Sequence, residues 1–349
     1  MSIDFDFGNR TPGTRRIFRL IRQRPGISRV ELAREAGLST GTVTQIVKRL
    51  RDDGLADEGQ SKSMGLGRNR VGLVAQSASH RILGVSVRSD LVRFGLLDWS
   101  GGVHQQRAVA IAKDSDPGAV IDRYIRTLKD QRIQVKAIGL ATASFPVSAR
   151  EAAPRFAQAI EETLGQPVLL LNNGTAAAIA EEWRWLEAPP RQFLLVYFGA
   201  GIGGALVHRR SQGLPPVVHP VEIGHIGIDP GGIPCVCGNC GCLERIASPV
   251  ILGQTLEGKS QDQVAALLGT AEAALVYGLT TAINVLDVAD VVLAGLDRGV
   301  LERFYGNLNE RLKSLTTPEG VAVRPRLSSL GDNSAAYGAA LSAADEWGA

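Results

Sequence analysis

Apolar residues recur at helical spacing in three short segments near the start of the chain. In the first segment, residues 11–24, Leu20 and Ile21 lie three and four positions after Ile17, and arginines surround them. Positions three and four apart share one face of a helix. The pattern therefore predicts an amphipathic helix.

The second segment, RVELAREA, follows a Pro-Gly break and has a helix signal at each end. Ser28 can cap the first turn, and Gly37 is suited to end the helix. The pattern predicts a short helix with Val30 and Leu32 facing inward.

The third segment, TGTVTQIVKRLRDDG, has a clear division between apolar and polar positions. Its apolar residues form one stripe: Val43, Ile46, Val47 and Leu50. Two short helices joined by a glycine turn, the second with a polar and basic outer face, are typical of a helix-turn-helix that lays one helix in the major groove of DNA. The residues expected to reach DNA from this helix are Ser39, Thr40, Gly41, Thr44, Gln45, Lys48 and Arg49.

The segment after these helices, GLADEGQSKSMGLGRNRVGLVAQ, predicts two strands around a glycine-rich basic loop, which is the wing of a winged helix. We expect its basic side chains to meet phosphates or the minor groove. These side chains are Lys62, Arg68 and Arg70. The alternative is a three-helix protein-interaction module with a solvated basic face.

Charge supports a DNA-binding start to the chain. Residues 1–76 carry 14 Lys and Arg against 8 Asp and Glu, whereas residues 77–349 carry 24 against 27. The opening MSIDFDFGNR is not a hydrophobic leader, and no apolar run near 18 residues is expected to cross a membrane. The sequence predicts a cytoplasmic protein.

After residue 76 the pattern changes to buried strands alternating with helices, which predicts an α/β body. A strand, a turn and a second strand are predicted for HRILGVSVRSDLVRFGLLDWSGG. The same arrangement, with a glycine loop as the turn, is predicted for FLLVYFGAGIGGALV. A strand rather than a helix follows the glycines, which argues against a dinucleotide-binding unit. Two such units suggest the two-lobed actin-like ATPase design.

All four cysteines of the chain lie within eight residues, in PCVCGNCGCLERI: Cys235, Cys237, Cys240 and Cys242. Disulfides are uncommon in reducing compartments, and a Cys-x-Cys pair would be strained as a disulfide. A metal site is therefore favoured over disulfides.

The region around these cysteines resembles the ROK family of repressors, open reading frames and sugar kinases. The resemblance rests on Glu-x-Gly-His, followed ten positions after the histidine by Cys-x-Cys-Gly-x-x-Gly-Cys-x-Glu. The matching residues are Glu222, Gly224, His225, Cys235, Cys237, Gly238, Gly241, Cys242 and Glu244. The segment SSLGDNSAAYGAALSA, residues 328–343, is similar to the closing segment of the family.

The resemblance implies a structural Zn²⁺ ion. The family's ligands fall on His225, Cys235, Cys237 and Cys242, a closed set with no open position for water. Cys240 occupies a variable position. An all-cysteine site without His225 remains the alternative.

The residues that kinases of this family need are replaced. Their Asp-x-Gly-Gly-Thr turn, which admits ATP phosphates, corresponds here to residues 86–90, with Ser86 for the aspartate and Arg88 and Ser89 for the glycines. Their catalytic base, an aspartate, corresponds to Asn173, and an amide cannot accept the proton. The resemblance therefore implies a body without kinase activity.

Sugar binding is left open by the sequence. The positions that contact sugar hydroxyls in the family are occupied by Asn172, Asn173, Glu222, His225 and Glu244. However, residues 138–156 are much shorter than the family's segment and lack its asparagine-containing loop. These residues either bind a sugar or a sugar phosphate, or only hold the zinc lobe and the contacts between lobes.

The sequence thus predicts a winged helix-turn-helix at 1–76 and a two-lobed ROK body. The first lobe is expected at 77–190, with 332–349 returning to it, and the second at 191–331. The predicted function is a DNA-binding transcriptional regulator, a repressor of carbohydrate-related genes that binds a double-stranded operator as a homodimer or homotetramer. The alternatives are a sugar kinase fused to a DNA-binding domain and a body that binds another protein.

Overall fold

The structure is a computed structural model, which describes residues 11–59, 72–76, 80–88, 90–112, 116–143, 152–185, 189–295 and 307–347. It opens with a small module of three helices and a two-stranded antiparallel sheet. The elements of this N-terminal module are α1 (Pro12–Gln23), α2 (Arg29–Ala36), α3 (Thr40–Asp52), β1 (Ala56–Glu58) and β2 (Leu73–Ala75).

Each of these helices begins at a hydroxyl cap. Thr11 caps α1, Ser39 caps α3, and Ser28 forms a capping box with Glu31 at the start of α2. Gly37 ends α2 in the left-handed conformation with φ of 67°, which glycine adopts without a Cβ penalty. Local sequence signals thus determine where each of the three helices begins and where α2 ends.

The prediction that Val30 faces inward is wrong. Val30 is 59% exposed, whereas Leu32 is buried with Ala33 and Ala36. Residues two positions apart on a helix point to different faces, so Val30 and Leu32 cannot share the buried face of α2. The core of the module uses Leu32.

The first large sheet has five strands in the order β5-β4-β3-β6-β7. β3 pairs antiparallel with β4 and parallel with β6, which allows chain reversal on one side and helical crossovers on the other. The elements are β3 (His80–Val87), β4 (Leu91–Leu97), β5 (Val103–Ala110), α4 (Pro117–Asp130), β6 (Gln134–Thr142), α5 (Ala152–Leu164), β7 (Val168–Asn172) and α6 (Asn173–Arg184).

The second large sheet also has five strands, in the order β10-β9-β8-β11-β12. β8 pairs antiparallel with β9 and parallel with β11, so the two sheets repeat one design. The elements are β8 (Gln192–Phe198), β9 (Ile202–His208), β10 (Val217–Val221), α7 (Leu243–Ala247), α8 (Pro249–Leu256), α9 (Gln261–Leu286), β11 (Asp290–Ala294), α10 (Leu308–Lys313), β12 (Arg324–Leu327) and α11 (Ser334–Trp347).

The C-terminal helix α11 packs against the first sheet, across β3 and β6. Glycines make this close approach possible: a Cβ on Gly84 would lie 1.8 Å from the carbonyl oxygen of Ala336, and one on Gly139 would lie 2.0 Å from that of Ala339. Any larger residue at either position would push the helix off the sheet. α11 therefore joins the end of the chain to the first sheet.

The long helix α9 corrects the expectation that no apolar run is near 18 residues long. By length and composition alone, its 26 residues could cross a membrane. However, one face of α9 is buried in the core of the second sheet, through residues such as Leu275, Leu279 and Ile283. Other apolar residues of α9, such as Tyr277 and Val285, are exposed, so the helix packs against the second sheet by one face.

Candidate functional site

A cavity of about 390 Å³ lies between the two large sheets. Elements of both sheets contribute to it: the loop after β3, the start of α6, the turn between β8 and β9, and the segment that follows β10. Its lining residues are Arg88, Ala143, Asn172, Asn173, Gly174, Tyr197, Gly199, Ala200, Gly201, Ile202, Gly203, Gly204, Val221, Glu222, His225, Val236, Cys237 and Glu244. All five predicted ligand-binding residues line this cavity.

Ser86 and Asn173 contact each other at the edge of this cavity. The Ser86 hydroxyl donates a hydrogen bond of 3.0 Å to Oδ1 of Asn173, and both residues are buried. Burial raises the pKa of the neighbouring Tyr197 to about 12, so its hydroxyl stays protonated at neutral pH. Ser86 and Asn173, which the resemblance matches to carboxylate positions of the kinases, are thus neutral side chains hydrogen bonded to each other.

The predicted polar residues differ in how they are used. Asn172 caps α6, because its Oδ1 accepts a hydrogen bond of 2.6 Å from the N–H of Thr175. Glu222 is exposed. An oxygen of Glu244 lies 3.7 Å from Nδ1 of His225. Carboxylate and amide groups in one cavity can hydrogen bond the neighbouring hydroxyls of a sugar.

His225, Cys235, Cys237 and Cys242 form a cluster whose ligand atoms all lie within 4.8 Å of one another. Sγ of Cys235 lies 3.5 Å from Nδ1 of His225, and Sγ of Cys237 lies 3.5 Å from Sγ of Cys242. Zinc–sulfur bonds of about 2.3 Å in a tetrahedron place sulfurs about 3.8 Å apart. Three sulfurs and one imidazole at these separations fit a closed metal site.

Cys240 is outside this four-residue cluster. The chain reverses between Cys235 and Cys242 through Gly238 and Gly241, with φ of 92° and 58°. This reversal brings the thiols of Cys235, Cys237 and Cys242 together.

The thiols of the cluster differ in their surroundings. Burial raises the pKa of Cys242 to about 12 and also raises that of Cys235, whereas a hydrogen bond from the backbone N–H of Asn239 lowers the pKa of the exposed Cys237. The cluster therefore extends from the core of the second lobe to the surface.

The polar face predicted on α3 is exposed. Its apolar stripe of Val43, Ile46, Val47 and Leu50 is buried, and Ser39 caps the first turn. The exposed residues are Ser39, Thr40, Gly41, Thr44, Gln45, Lys48 and Arg49. The three predicted wing residues, Lys62, Arg68 and Arg70, lie outside the described residues, as does Ser89.

Two arginines of α1 are buried against the body of the protein. Arg19 and Arg22 both pair with Asp345 at the end of α11, and Arg19 also lies 2.9 Å from the carboxylate of Glu182 on α6. Nε of Arg22 donates a hydrogen bond of 2.6 Å to the carbonyl oxygen of Trp99. These ion pairs attach the N-terminal module to the first lobe.

Burial lowers the pKa of Arg19 to about 10 and that of Arg22 to about 9. Both therefore remain charged at neutral pH. Arg209 also pairs with Glu182, at 3.2 Å, so the carboxylates of Asp345 and Glu182 face three guanidinium groups.

The same helix also contacts the second lobe. Nε of Arg16 donates a hydrogen bond of 3.1 Å to the carbonyl oxygen of Gln212, in the connection between β9 and β10. Gly213 lies so close to α1 that a Cβ there would be 2.6 Å from Leu20. α1 thus touches both lobes that form the cavity.

The chain matches two known protein families. The ROK family matches residues 141–346, which is more than half of the 349 residues. A second family, described as winged helix-turn-helix DNA-binding, matches residues 14–56.

The relatives include regulators and kinases. The chain is 30% identical to the DNA-binding transcriptional repressor Mlc of Escherichia coli strain K12, over 66% of this chain and 62% of that protein. It is also 30% identical to a glucokinase of Halalkalibacterium halodurans, over 50% of this chain and 53% of the enzyme. The chain thus spans less than two thirds of the length of these relatives.

A solved structure supports the fold. The crystal structure of a ROK family transcriptional regulator, a homolog of the E. coli MLC protein, matches 96% of each chain with a TM-score of 0.71 at 21% identity. The predicted fold class, a winged helix-turn-helix followed by a sugar kinase-like, actin-like body, is confirmed. The chain belongs to the ROK family.

Proposed function

We propose that this protein is a DNA-binding transcriptional regulator of carbohydrate-related genes, acting as a repressor. The observation that carries the proposal is the exposed polar face of α3, presented by a module whose first helix contacts both lobes around a polar cavity. In this proposal residues 1–76 read DNA. The lobes at 77–190 with 332–349, and at 191–331, sense an effector and form a cytoplasmic homodimer or homotetramer.

In vitro selection from a random DNA pool tests the proposal directly. The full chain is expected to enrich a palindromic sequence, because a two-fold oligomer presents two α3 helices to equivalent half-sites. If no sequence is enriched over the starting pool, the regulator proposal is wrong.

Gln45 is expected to read a base and Arg49 to contact phosphate. Gln45→Ala should weaken binding to the selected site by about 1 to 3 kcal/mol and relax preference at one base pair, because glutamine can pair with adenine in the major groove. Arg49→Ala should weaken binding to all sequences and reduce the salt dependence. Both effects can be measured by fluorescence anisotropy against single-base variants of the site. Equal loss of base preference from both changes would contradict the assignment.

We further propose that the body has no kinase activity. The buried Ser86–Asn173 pair supplies neither a metal-binding carboxylate nor a general base. No ATP-dependent phosphorylation of glucose, N-acetylglucosamine or N-acetylmannosamine above background is expected in a coupled assay. Turnover that disappears in Asn173→Ala would instead favour the kinase alternative.

We also propose that the four-residue cluster holds a structural Zn²⁺ ion. Its three thiols and one imidazole are donors that zinc prefers, and together they complete a tetrahedron. The ion would fix the loop that carries Glu244 and His225 into the wall of the cavity. Any effector would then bind beside the metal loop, with Asn172, Asn173 and Glu222 completing its contacts.

A further inference from the structure

Arg88 brings a positive charge into the cavity from the loop that follows β3. Its side chain is 16% exposed and belongs to the lining of the cavity. Its Nε atom is buried and makes no hydrogen bond within the described part of the chain, but it forms an ion pair with Asp90. The nearby carboxylate of Asp90 lies 3.4 Å from that atom and is itself 64% exposed. A guanidinium has five N–H donors, so this side chain retains the capacity to bind an anion.

A second feature near Arg88 also favours an anion. The 12-residue helix α6 begins in the same cavity, with Asn173 and Gly174 in its first turn. The first N–H groups of a helix carry partial positive charge and attract negative groups, although in α6 the N–H of Thr175 is already bound by Asn172. Arg88 and the start of α6 belong to the same side of the cleft, because both come from the first lobe.

The second lobe contributes the opposite charge. Glu222 and Glu244 line the cavity from the segment around the metal cluster. Carboxylates repel an anion but accept hydrogen bonds from sugar hydroxyls. The cavity therefore has one lobe suited to an acidic group and one suited to hydroxyls.

We propose that the cleft binds an anionic sugar, one that carries a phosphate or carboxylate group. The acidic group binds Arg88 and the hydroxyls bind Glu222 and Glu244. This inference rests on the proposed function, in which the cleft is the effector site, and it specifies the chemical class of the effector. It also gives Arg88 a role: the side chain that replaces a glycine of the kinase turn becomes an anion-binding group.

The test is isothermal titration of the full chain with matched pairs of neutral and acidic sugars: glucose with glucose 6-phosphate and glucuronate, and N-acetylglucosamine with its 6-phosphate. At least one acidic sugar is expected to bind about tenfold or more tightly than its neutral parent, which corresponds to about 1.4 kcal/mol. Inorganic phosphate, titrated alone, should compete with that sugar.

Substitutions at Arg88 separate the contribution of its charge from that of the fold. Arg88→Ala should remove the preference for the acidic sugar and leave the affinity for its neutral parent within about twofold. Arg88→Lys should keep part of the preference for the acidic sugar. Asp90→Asn should tighten binding of the acidic sugar, because it removes a competing carboxylate. Arg126→Ala, at an arginine of α4 that is 73% exposed, is the matched control and should change neither affinity.

The possible results separate this inference from the proposed function. Equal affinity for neutral and acidic sugars, or an acidic preference that survives Arg88→Ala, would show that the anion-site proposal is wrong. The proposal that the cleft binds an effector would not be affected. If none of the sugars binds, both the anion site and the effector role of the cleft are wrong. Sequence-selective DNA binding would still support the DNA-reading part of the function in that case.

Discussion

Cys242→Ser is expected to release one equivalent of zinc and to destabilise the second lobe. Cys242 is fully buried, and its thiol lies 3.5 Å from that of Cys237. Structural zinc contributes about 10 to 16 kcal/mol of binding free energy in small zinc modules, and that energy is folding energy where the site forms only in the folded chain. Removing one of four ligands should therefore lower the midpoint of thermal unfolding by about 10 °C or more.

Cys240→Ser is the matched control, because Cys240 lies in the same loop but outside the cluster. It should leave the zinc content, measured by atomic emission, at one ion per chain. The result also decides between the two ligand sets. If zinc falls with Cys240→Ser but survives His225→Ala, an all-cysteine site replaces the one proposed here.

Sequence alone favours a metal site here because the cysteines are close in the chain, whereas the choice of His225 over Cys240 as a ligand comes from the resemblance to the ROK family. Cys235, Cys237 and Cys242 lie within eight residues, and glycines between them allow the turn that brings the thiols together. The capping signals of α1, α2 and α3 are local in the same way. Val30 shows the limit: its hydrophobicity suggested burial, but its angular position on α2 decides its exposure.

The burial of Arg19 and Arg22 was not predicted, and the reason is physical. Their partner Asp345 lies more than 320 positions away in the sequence, so no local pattern pairs them. A signal was nevertheless present: Arg22 lies three positions after Arg19 and four after Phe18, so it shares a helix face with each of them. Basic residues on an otherwise apolar helix face can mark an interface with acidic partners elsewhere in the fold.

The cavity could be predicted from the sequence only in part. The sequence identified its polar residues, but it left open whether a cavity remains, because that depends on how closely the two lobes approach each other. The structure has a cavity of about 390 Å³ between the lobes. Arg88 was seen in the sequence only as an obstacle to nucleotide phosphates, and its place in the cavity wall suggested the anion site.

The contacts of α1 suggest how the cavity and the DNA-reading helix could communicate. α1 is held to the first lobe by buried ion pairs and touches the second lobe at Gln212 and Gly213. α6 links the cavity to α1. It begins in the cavity at Asn173, and near its other end Glu182 pairs with Arg19 of α1. A ligand that changes the angle between the lobes would therefore change the forces on α1.

Asp345→Ala tests whether these ion pairs hold the N-terminal module in place. The change leaves Arg19 and Arg22, whose side chains are 3% and 0% exposed, without their shared carboxylate. Breaking a buried ion pair by removing one partner costs about 3 to 5 kcal/mol, because the remaining charge stays buried and uncompensated. We expect the module to detach from the body at lower urea concentration and DNA binding to lose its response to the effector.

Tryptophan fluorescence can follow this detachment, because Trp99 is buried beside Phe18 of α1, with ring centroids 5.7 Å apart, and Trp183 lies beneath the guanidinium of Arg22. Exposure of these rings should shift their emission to longer wavelength. Glu346→Ala is the matched control, since it removes an exposed carboxylate from the adjacent position of α11. An Asp345→Ala protein whose urea transition and emission coincide with those of Glu346→Ala would show that the ion pairs do not attach the module. A selective shift in Asp345→Ala would instead show that the ion pairs of Asp345 help to hold the N-terminal module on the body.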